Sequence, residues 1–144
     1  MDDLRAARAA SRVPLLAKGF FSSADDLRTA RDAGADAALL ILRDLDDAAC
    51  AHLLRAAAAL GLETLVEAHD AIELQRAVAH AAPVIGINAR DLATFRVDRS
   101  GQLDLVALSH KVAPDRVVVA ESGVRTRAQG AEAELAGADA VIVG

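Results

Sequence analysis

The chain has 144 residues, a formal net charge of −5, 53% hydrophobic residues and 2% aromatic residues. This length predicts one domain over residues 1–144, with ample apolar residues for a core. The negative charge and the absence of Tyr and Trp argue against a nucleic-acid partner, because phosphate contacts need Lys and Arg, and base stacking needs aromatic rings.

Three features of the composition concern the cellular compartment. Cys50 has no second cysteine for an internal disulfide, which favours a reducing compartment, and its Ala-rich helical surroundings predict a packed residue. No apolar stretch is long enough to span a bilayer, and the acidic start at Met1-Asp2-Asp3 differs from a signal peptide. We therefore expect a cytoplasmic protein with no membrane partner.

Helical and strand patterns alternate along the whole chain. After a short helix over residues 2–10, apolar runs predict six strands, near residues 15, 40, 65, 86, 118 and 141. Capped helices of roughly ten to fourteen residues separate them, as parallel βαβ crossovers require. The sequence thus predicts an α/β fold with parallel strands, either a (β/α) barrel or a doubly wound sheet.

Several details of this prediction can be checked. The first strand is predicted over Val13–Ala17, and the fifth long helix from about Leu103 to Val112, after a loop that holds Asp98 and Gly101. The sequence Ala-Gly-Ala-Asp occurs at Ala33–Asp36 and again at Ala136–Asp139, each time between a helix and a strand.

The central strand leads directly into polar residues. Val84 to Ile87 are apolar with one Gly, which is typical of a strand buried on both faces, and Asn88, Arg90 and Asp91 follow. One interpretation is a ligand site at the strand end. The other is that Asn88 and Asp91 form a turn while Arg90 is a solvated charge.

Polar residues also follow the other predicted strands. In a βα barrel the carboxyl ends of the strands build the site. A Lys, two Glu, an Asn and an Arg there would suit acid–base chemistry on a small anion, although each taken separately could be a salt-bridge partner. Glu67 and Glu121 end apolar strands, where desolvation can raise a carboxylate pKa. The residues concerned are Lys18, Glu67, Asn88, Arg90, Glu121, Ser122, Gly123 and Gly144.

Metal binding is the weaker interpretation of the histidines. His52, His80 and His110 lie in predicted helices without a His or Cys at ligand spacing. His69 is close to Glu67 in the sequence and is expected to orient its loop. No metal is therefore expected.

Taken together, the strand ends resemble the indole-3-glycerol-phosphate synthase family of tryptophan biosynthesis. The most specific matches are VEAHD at Val66–Asp70 and GINARDL at Gly86–Leu92. The matching segments occur in the family's order, at Leu16–Phe20, Ala33–Ile41, Leu60–Asp70, Ile85–Leu92 and Ala120–Val124. The resemblance implies a (β/α)8 TIM-barrel type fold that is incomplete here, with this chain as family strands three to eight.

The resemblance also implies residue roles. Lys18 would be the general acid, Glu67 would assist proton removal, and Asn88 and Arg90 would hold polar groups of the substrate. Glu121 and Ser122 would be the strand-seven pair, and Gly123 and Gly144 would belong to the phosphate-binding turns. The implied reaction converts 1-(2-carboxyphenylamino)-1-deoxyribulose 5-phosphate to indole-3-glycerol phosphate by ring closure, decarboxylation and loss of water, without a cofactor.

The chain departs from the family pattern in ways that leave alternatives open. Gly19 replaces the usual acid after the lysine, and the first two family strands, with a Glu and a second Lys, are absent. We therefore expect the isolated chain to be inactive or nearly so. The alternative is a truncated non-catalytic remnant or a phosphate-sugar-binding module. A different phosphate-binding barrel, such as an isomerase, is disfavoured by Glu67 and Asn88-x-Arg90.

An incomplete barrel would also expose sheet edges. Leu15-Leu16 and Val141-Ile142 would lie on strands that a full barrel pairs on both sides. We therefore expect low stability or self-association of the isolated chain.

Overall fold

A computed structural model describes residues 1–91 and 94–143. Helices and strands alternate along the described chain. The helices are α1 (Asp2–Ala10), α2 (Ala24–Asp32), α3 (Asp47–Ala59), α4 (Ala71–Ala79), α5 (Arg99–Val112) and α6 (Arg127–Ala136). The strands are β1 (Leu16–Ala17), β2 (Ala37–Ile41), β3 (Glu63–Ala68), β4 (Val84–Asn88), β5 (Val117–Glu121) and β6 (Ala140–Ile142).

The strands form a parallel sheet whose order, β1 to β6, follows the chain. Leu16 lies opposite Ala37 in the β1–β2 pair, and Asn88 lies opposite Glu121 in the β4–β5 pair. Parallel strands that follow the chain order and alternate with helices are the arrangement of an incomplete (β/α)8 barrel. The predicted fold class and the six predicted strands are confirmed.

Two predicted boundaries were wrong. The first strand is limited to Leu16–Ala17 because Pro14 has no N–H, and the N–H of Leu15 bonds instead to the carboxylate of Asp36. Helix α5 begins at Arg99 rather than near Leu103. Asp98 is its N-cap and accepts the N–H of Gly101 at 3.0 Å, so the glycine lies in the first helical turn and not in a loop.

The chain divides into two compact units, residues 1–65 and residues 66–144. In the first unit, large side chains without solvent exposure include Leu27, Leu40 and Leu53, and Cys50 is buried among the helix residues as predicted. In the second unit, the core includes Ile85, Ile87, Val106 and Val118. The strand β4 is buried on both faces, as its apolar run predicted. The single domain over 1–144 stays a prediction.

The repeated Ala-Gly-Ala-Asp motif has a structural role in both copies. Gly34 and Gly137 end their helices with φ values of 103° and 108°, which glycine adopts without steric cost. The aspartates that follow each accept a backbone N–H, from the residue before β1 in the first copy and from β5 in the second. Asp36 Oδ2 lies 2.7 Å from the nitrogen of Leu15, and Asp139 Oδ2 lies 2.8 Å from that of Val118. The motif therefore joins a helix end to the start of a strand pair.

Candidate active site

The second unit carries polar side chains at the carboxyl ends of three neighbouring strands, β3, β4 and β5. Glu67 is the second-last residue of β3, Asn88 ends β4 and Glu121 ends β5. Asn88 and Glu121 are paired directly across the β4–β5 ladder. Glu67 and Glu121 are 2% and 1% exposed. Burying carboxylates is costly, so two of them at one sheet edge indicate a built site more than a solvated surface.

Glu67 contacts a second carboxylate through His69. Glu67 Oε1 lies 3.2 Å from His69 Nε2, and His69 Nδ1 lies 3.1 Å from Glu73 Oε2. The side chains of Glu67, His69 and Glu73 are 2%, 4% and 10% exposed. Glu73 Oε2 also accepts the backbone N–H of His69 at 2.8 Å, which connects this loop to the first turn of α4. The role of His69 in orienting its loop stays a prediction.

Some polar groups of the loop after β4 form hydrogen bonds within the loop. Asn88 Oδ1 accepts the backbone N–H of Arg90 at 2.9 Å, and Asp91 Oδ1 accepts that of Thr94 at 2.7 Å. Both residues thus form turns, as the second interpretation of this stretch proposed. The guanidinium of Arg90 donates to the carbonyl oxygen of Phe95 at 3.3 Å. A substrate role for Asn88 and Arg90 stays a prediction.

The chain leaves β5 through two residues in the left-handed region. Ser122 has a φ of 65° and Gly123 has a φ of 73°. A Cβ on Gly123 would lie 2.8 Å from both Arg99 Cδ and Val97 Cγ1, so the position has room for glycine and not for a larger residue. A strained serine at the end of a site strand is consistent with a functional turn. Phosphate binding by this turn stays a prediction, and Gly144 lies outside the described residues.

Lys18 lies in the first unit, directly after β1. It is exposed and lines an open cavity of about 580 Å³ whose other walls include Leu16, Phe21 and Asp26. At the neighbouring Gly19, a Cβ would meet the ring of Phe21 at 3.7 Å, which is an ordinary contact. The backbone there would therefore accept a residue with a side chain.

Comparison with known proteins agrees with this geometry. A family model described as indole-3-glycerol phosphate synthase matches residues 1–144. The chain belongs to the indole-3-glycerol phosphate synthase family. It is 47% identical over 143 residues to the indole-3-glycerol phosphate synthase of Streptomyces griseus, covering 99% of this chain and 52% of the relative.

Other relatives of the family give a similar result. The synthase of Beutenbergia cavernae is 47% identical over 143 residues, with 99% of this chain and 52% of the relative covered. The synthase of Variovorax paradoxus is 41% identical over 144 residues, with 100% and 53% covered. The chain thus spans about half the length of the curated relatives it matches.

A solved structure supports the fold over nearly the whole chain. A mandelate oxidase mutant, determined with an FMN adduct, aligns with a TM-score of 0.72 over 98% of this chain and 57% of its own. Its sequence identity is 18%, so the likeness concerns the fold and carries no inference about activity.

Sequence reasoning missed Gln102, a buried residue of α5 that bonds the backbone near the carboxyl ends of β4 and β5. Gln102 Nε2 donates to the carbonyl oxygens of Ile87 at 2.7 Å and Glu121 at 2.6 Å. Its Oε1 accepts from Arg99 at 3.1 Å, and Arg99 also donates to Glu132 at 3.2 Å. The available signal was a glutamine on the buried stripe of α5, which also includes Leu105, Val106 and Ser109.

Within residues 1–91 and 94–143, no three His, Cys, Asp or Glu side chains are grouped so that they could hold a metal ion. None of the helices in the described part of the chain has the length and apolar character needed to cross a membrane.

Proposed function

We propose that this chain carries acid–base and substrate-binding residues of an indole-3-glycerol phosphate synthase, a carbon–carbon lyase. The reaction closes the ring of 1-(2-carboxyphenylamino)-1-deoxyribulose 5-phosphate, releases carbon dioxide and water, and yields indole-3-glycerol phosphate. The observation that carries the proposal is the pair of buried carboxylates, Glu67 and Glu121, beside Asn88 at the ends of β3, β4 and β5. Membership of the family supports the assignment of this chemistry to the strand ends.

The proposed roles are those that the resemblance to the family implies for these positions. Lys18 donates a proton to the substrate carbonyl as the ring closes, and Glu67 assists proton removal in the later steps. Asn88 and Arg90 hold polar groups of the substrate, and Glu121 lies beside them. Ordered acid and base groups of this kind need no cofactor, because each step transfers a proton to or from the substrate.

The proposed partner is a phosphorylated small molecule. Ser122 and Gly123 form a tight turn before α6, where backbone N–H groups and a hydroxyl suit a phosphate. Gly144 is proposed to belong to a second phosphate-binding turn. A cytoplasmic location is proposed as well, and the burial of Cys50, the chain's one cysteine, is compatible with a reducing compartment.

The test uses the fluorescence of the indole product. The chain contains no Trp and no Tyr, so its own emission will not obscure that signal. Turnover is measured for the 144-residue chain and for a chimera in which it replaces the matching segment of the Streptomyces griseus relative. We expect an active chimera in which Lys18→Ala and Glu67→Gln each lower kcat by about 100-fold or more.

A matched control uses Glu134, an exposed glutamate on α6. Glu134→Gln removes the same charge and should leave kcat within about twofold, as for other surface substitutions. A folded chimera with no turnover, or full activity in Glu67→Gln, would overturn the proposal.

A further inference from the structure

Arg99, the first residue of α5, connects the helices that precede and follow β5. Its guanidinium donates to Gln102 Oε1 at 3.1 Å, to the carbonyl oxygen of Gln129 at 2.9 Å and to Glu132 Oε2 at 3.2 Å. The Arg99 side chain is 18% exposed, whereas that of Glu132 is 55% exposed. Because an exposed ion pair contributes little to stability, the bonds to Gln102 and to the backbone of α6 are the more important contacts.

The partners of Gln102 determine the orientation of its amide. A carbonyl oxygen only accepts and a guanidinium only donates. The amide nitrogen must therefore face the carbonyl oxygens of Ile87 and Glu121, and Oε1 must face Arg99. Gln102 is 3% exposed, so Arg99 supplies the donor that its buried oxygen needs while its amino group bonds the backbone at the ends of β4 and β5.

The alkyl part of Arg99 lies against the turn that leaves β5. A Cβ placed on Gly123 would be 2.8 Å from Arg99 Cδ, so the backbone of Gly123 is packed directly on this side chain. Ser122 and Gly123 have φ values of 65° and 73°, and such a conformation of a serine persists where surrounding contacts hold it. Arg99 thus contacts the turn through its methylene groups and α6 through its guanidinium.

We propose that Arg99 is a positioning residue for the Ser122–Gly123 turn, the proposed phosphate end of the site. Its methylene groups support the turn, and its guanidinium fixes Gln102 and α6 on either side of it. The effect on ligand binding rests on the function proposed above, whereas the effect on Gln102 does not. The competing explanation is that Arg99 only stabilises the packing of α5 against α6, so that its loss would lower stability and leave affinity unchanged.

The effect of Arg99 on Gln102 can be measured without any activity. In ¹⁵N–¹H correlation spectra of the 144-residue chain, the side-chain amide signals that disappear in Gln102→Met are those of Gln102. We expect both of its amide hydrogens to exchange slowly with deuterated solvent, because both are bonded in a buried residue. Gln75, exposed on α4, is the internal reference for fast exchange. Exchange of Gln102 as fast as that of Gln75 would overturn the proposal.

Two substitutions of Arg99 separate its guanidinium from its alkyl part. Arg99→Met keeps a side chain of similar length without donors, and Arg99→Ala also removes the contact with Gly123. Both leave Gln102 Oε1 without its donor, so exchange of the Gln102 amide should accelerate by about tenfold or more. An unchanged exchange rate in the folded variants would contradict the proposal. If Arg99→Ala does not fold, Arg99→Met is judged by the same criterion.

Kinetics of the chimera test the effect on the phosphate end. A phosphate held away from the reacting atoms contributes equally to binding of the substrate and of the transition state, so displacing its turn should raise KM and spare kcat. We expect KM to rise by about tenfold in Arg99→Ala and about threefold in Arg99→Met, with kcat within about twofold in both. The inhibition constant of inorganic phosphate should rise by the same factors.

Lys111→Met is the matched control, because it removes an exposed positive charge from the last turn of the same helix. It should leave KM and phosphate inhibition within about twofold. Unchanged KM and phosphate inhibition in a folded but less stable Arg99→Ala would overturn the positioning role and support the packing explanation. An inactive chimera with the expected exchange rates would instead overturn the proposed function and leave the role of Arg99 in holding Gln102 intact.

Discussion

At the scale of single residues, Ser122 combines a strained backbone with a proposed contact to the substrate. Its φ of 65° lies in the region where a side chain costs about 1–2 kcal/mol relative to the right-handed form. Glycine removes this cost but gains entropy in the unfolded chain. We expect Ser122→Gly to raise the free energy of unfolding by about 0.5–1 kcal/mol in urea titrations, since the first effect is larger.

The same substitution should weaken the site. Loss of the Ser122 hydroxyl is expected to raise the Kd for the phosphorylated product about tenfold, equivalent to one hydrogen bond to a charged group. Ala81→Gly is the matched control, because Ala81 has a φ of 54° in the turn after α4. It should stabilise the chain similarly and leave the Kd unchanged. Equal effects of both variants on binding would contradict the proposed role of Ser122.

At the scale of elements, Gln102 connects α5 to the ends of β4 and β5. Its amide bonds two carbonyl oxygens at 2.7 and 2.6 Å while the residue is 3% exposed. The carbonyl oxygen of Glu121 also accepts the N–H of Ala89 at 3.0 Å, so it keeps one partner without Gln102. Removing the amide then costs two buried hydrogen bonds at about 0.5–1.5 kcal/mol each, and the cavity left in the core adds to this loss. We expect Gln102→Ala to lower the free energy of unfolding by about 2–4 kcal/mol, measured by urea denaturation.

A surface glutamine provides the control for this prediction. Gln75 is exposed on α4, and Gln75→Ala should change the unfolding free energy by less than about 0.5 kcal/mol. Gln102→Glu should be at least as destabilising as Gln102→Ala, because a carboxylate cannot donate to two carbonyl oxygens. Normal stability in Gln102→Ala would mean that water replaces the amide.

The turn before β2 predicts a pH dependence of stability. The backbone N–H of Leu15 and the guanidinium of Arg8 lower the pKa of Asp36 from its ordinary value of 3.8, despite an opposing effect of desolvation. A carboxyl whose pKa is lower in the folded state stabilises the fold above its unfolded pKa and loses this effect as the pH falls through the folded value. Asp36→Asn should therefore be less stable than the unsubstituted chain at pH 7.

The difference between the two proteins should disappear as the pH falls through 3.8 and below the folded value. Urea midpoints at a series of pH values measure it. Asp104→Asn, on an exposed position of α5, should show little difference at any pH. A constant difference for Asp36→Asn across this range would show that its carboxylate charge is not the cause.

At the scale of the whole molecule, the end strands of the sheet predict self-association. The strand order places β1 and β6 at its ends, and in the described residues each has one neighbouring strand. Strand edges of this kind pair readily with other chains. We expect sedimentation velocity of the 144-residue chain to show larger species as the concentration rises, and Ala140→Lys in β6 to reduce them.

The control for this experiment is Ala131→Lys, which adds the same charge at an exposed position of α6. It should leave the association unchanged, because a helix such as α6 offers no strand edge for pairing with another chain. A chain that stays monomeric at all concentrations would contradict the prediction.

The sequence by itself determined the alternation of strands and helices, the parallel sheet, the strand-end residues and the family. These features depend on hydrophobic period, capping residues and short motifs, which are local properties of the chain. It also placed Glu67, Asn88 and Glu121 at strand ends, because each directly closes an apolar run.

Only the tertiary structure decided how these residues are held. Gln102 reaches carbonyl oxygens 15 and 19 residues away, and Asp36 bonds a residue 21 positions earlier. Such contacts depend on strand register and on how a helix packs against the sheet, which no short pattern encodes. The line from Glu67 through His69 to Glu73 spans seven residues, yet it too required the strand-to-helix turn that brings three side chains together.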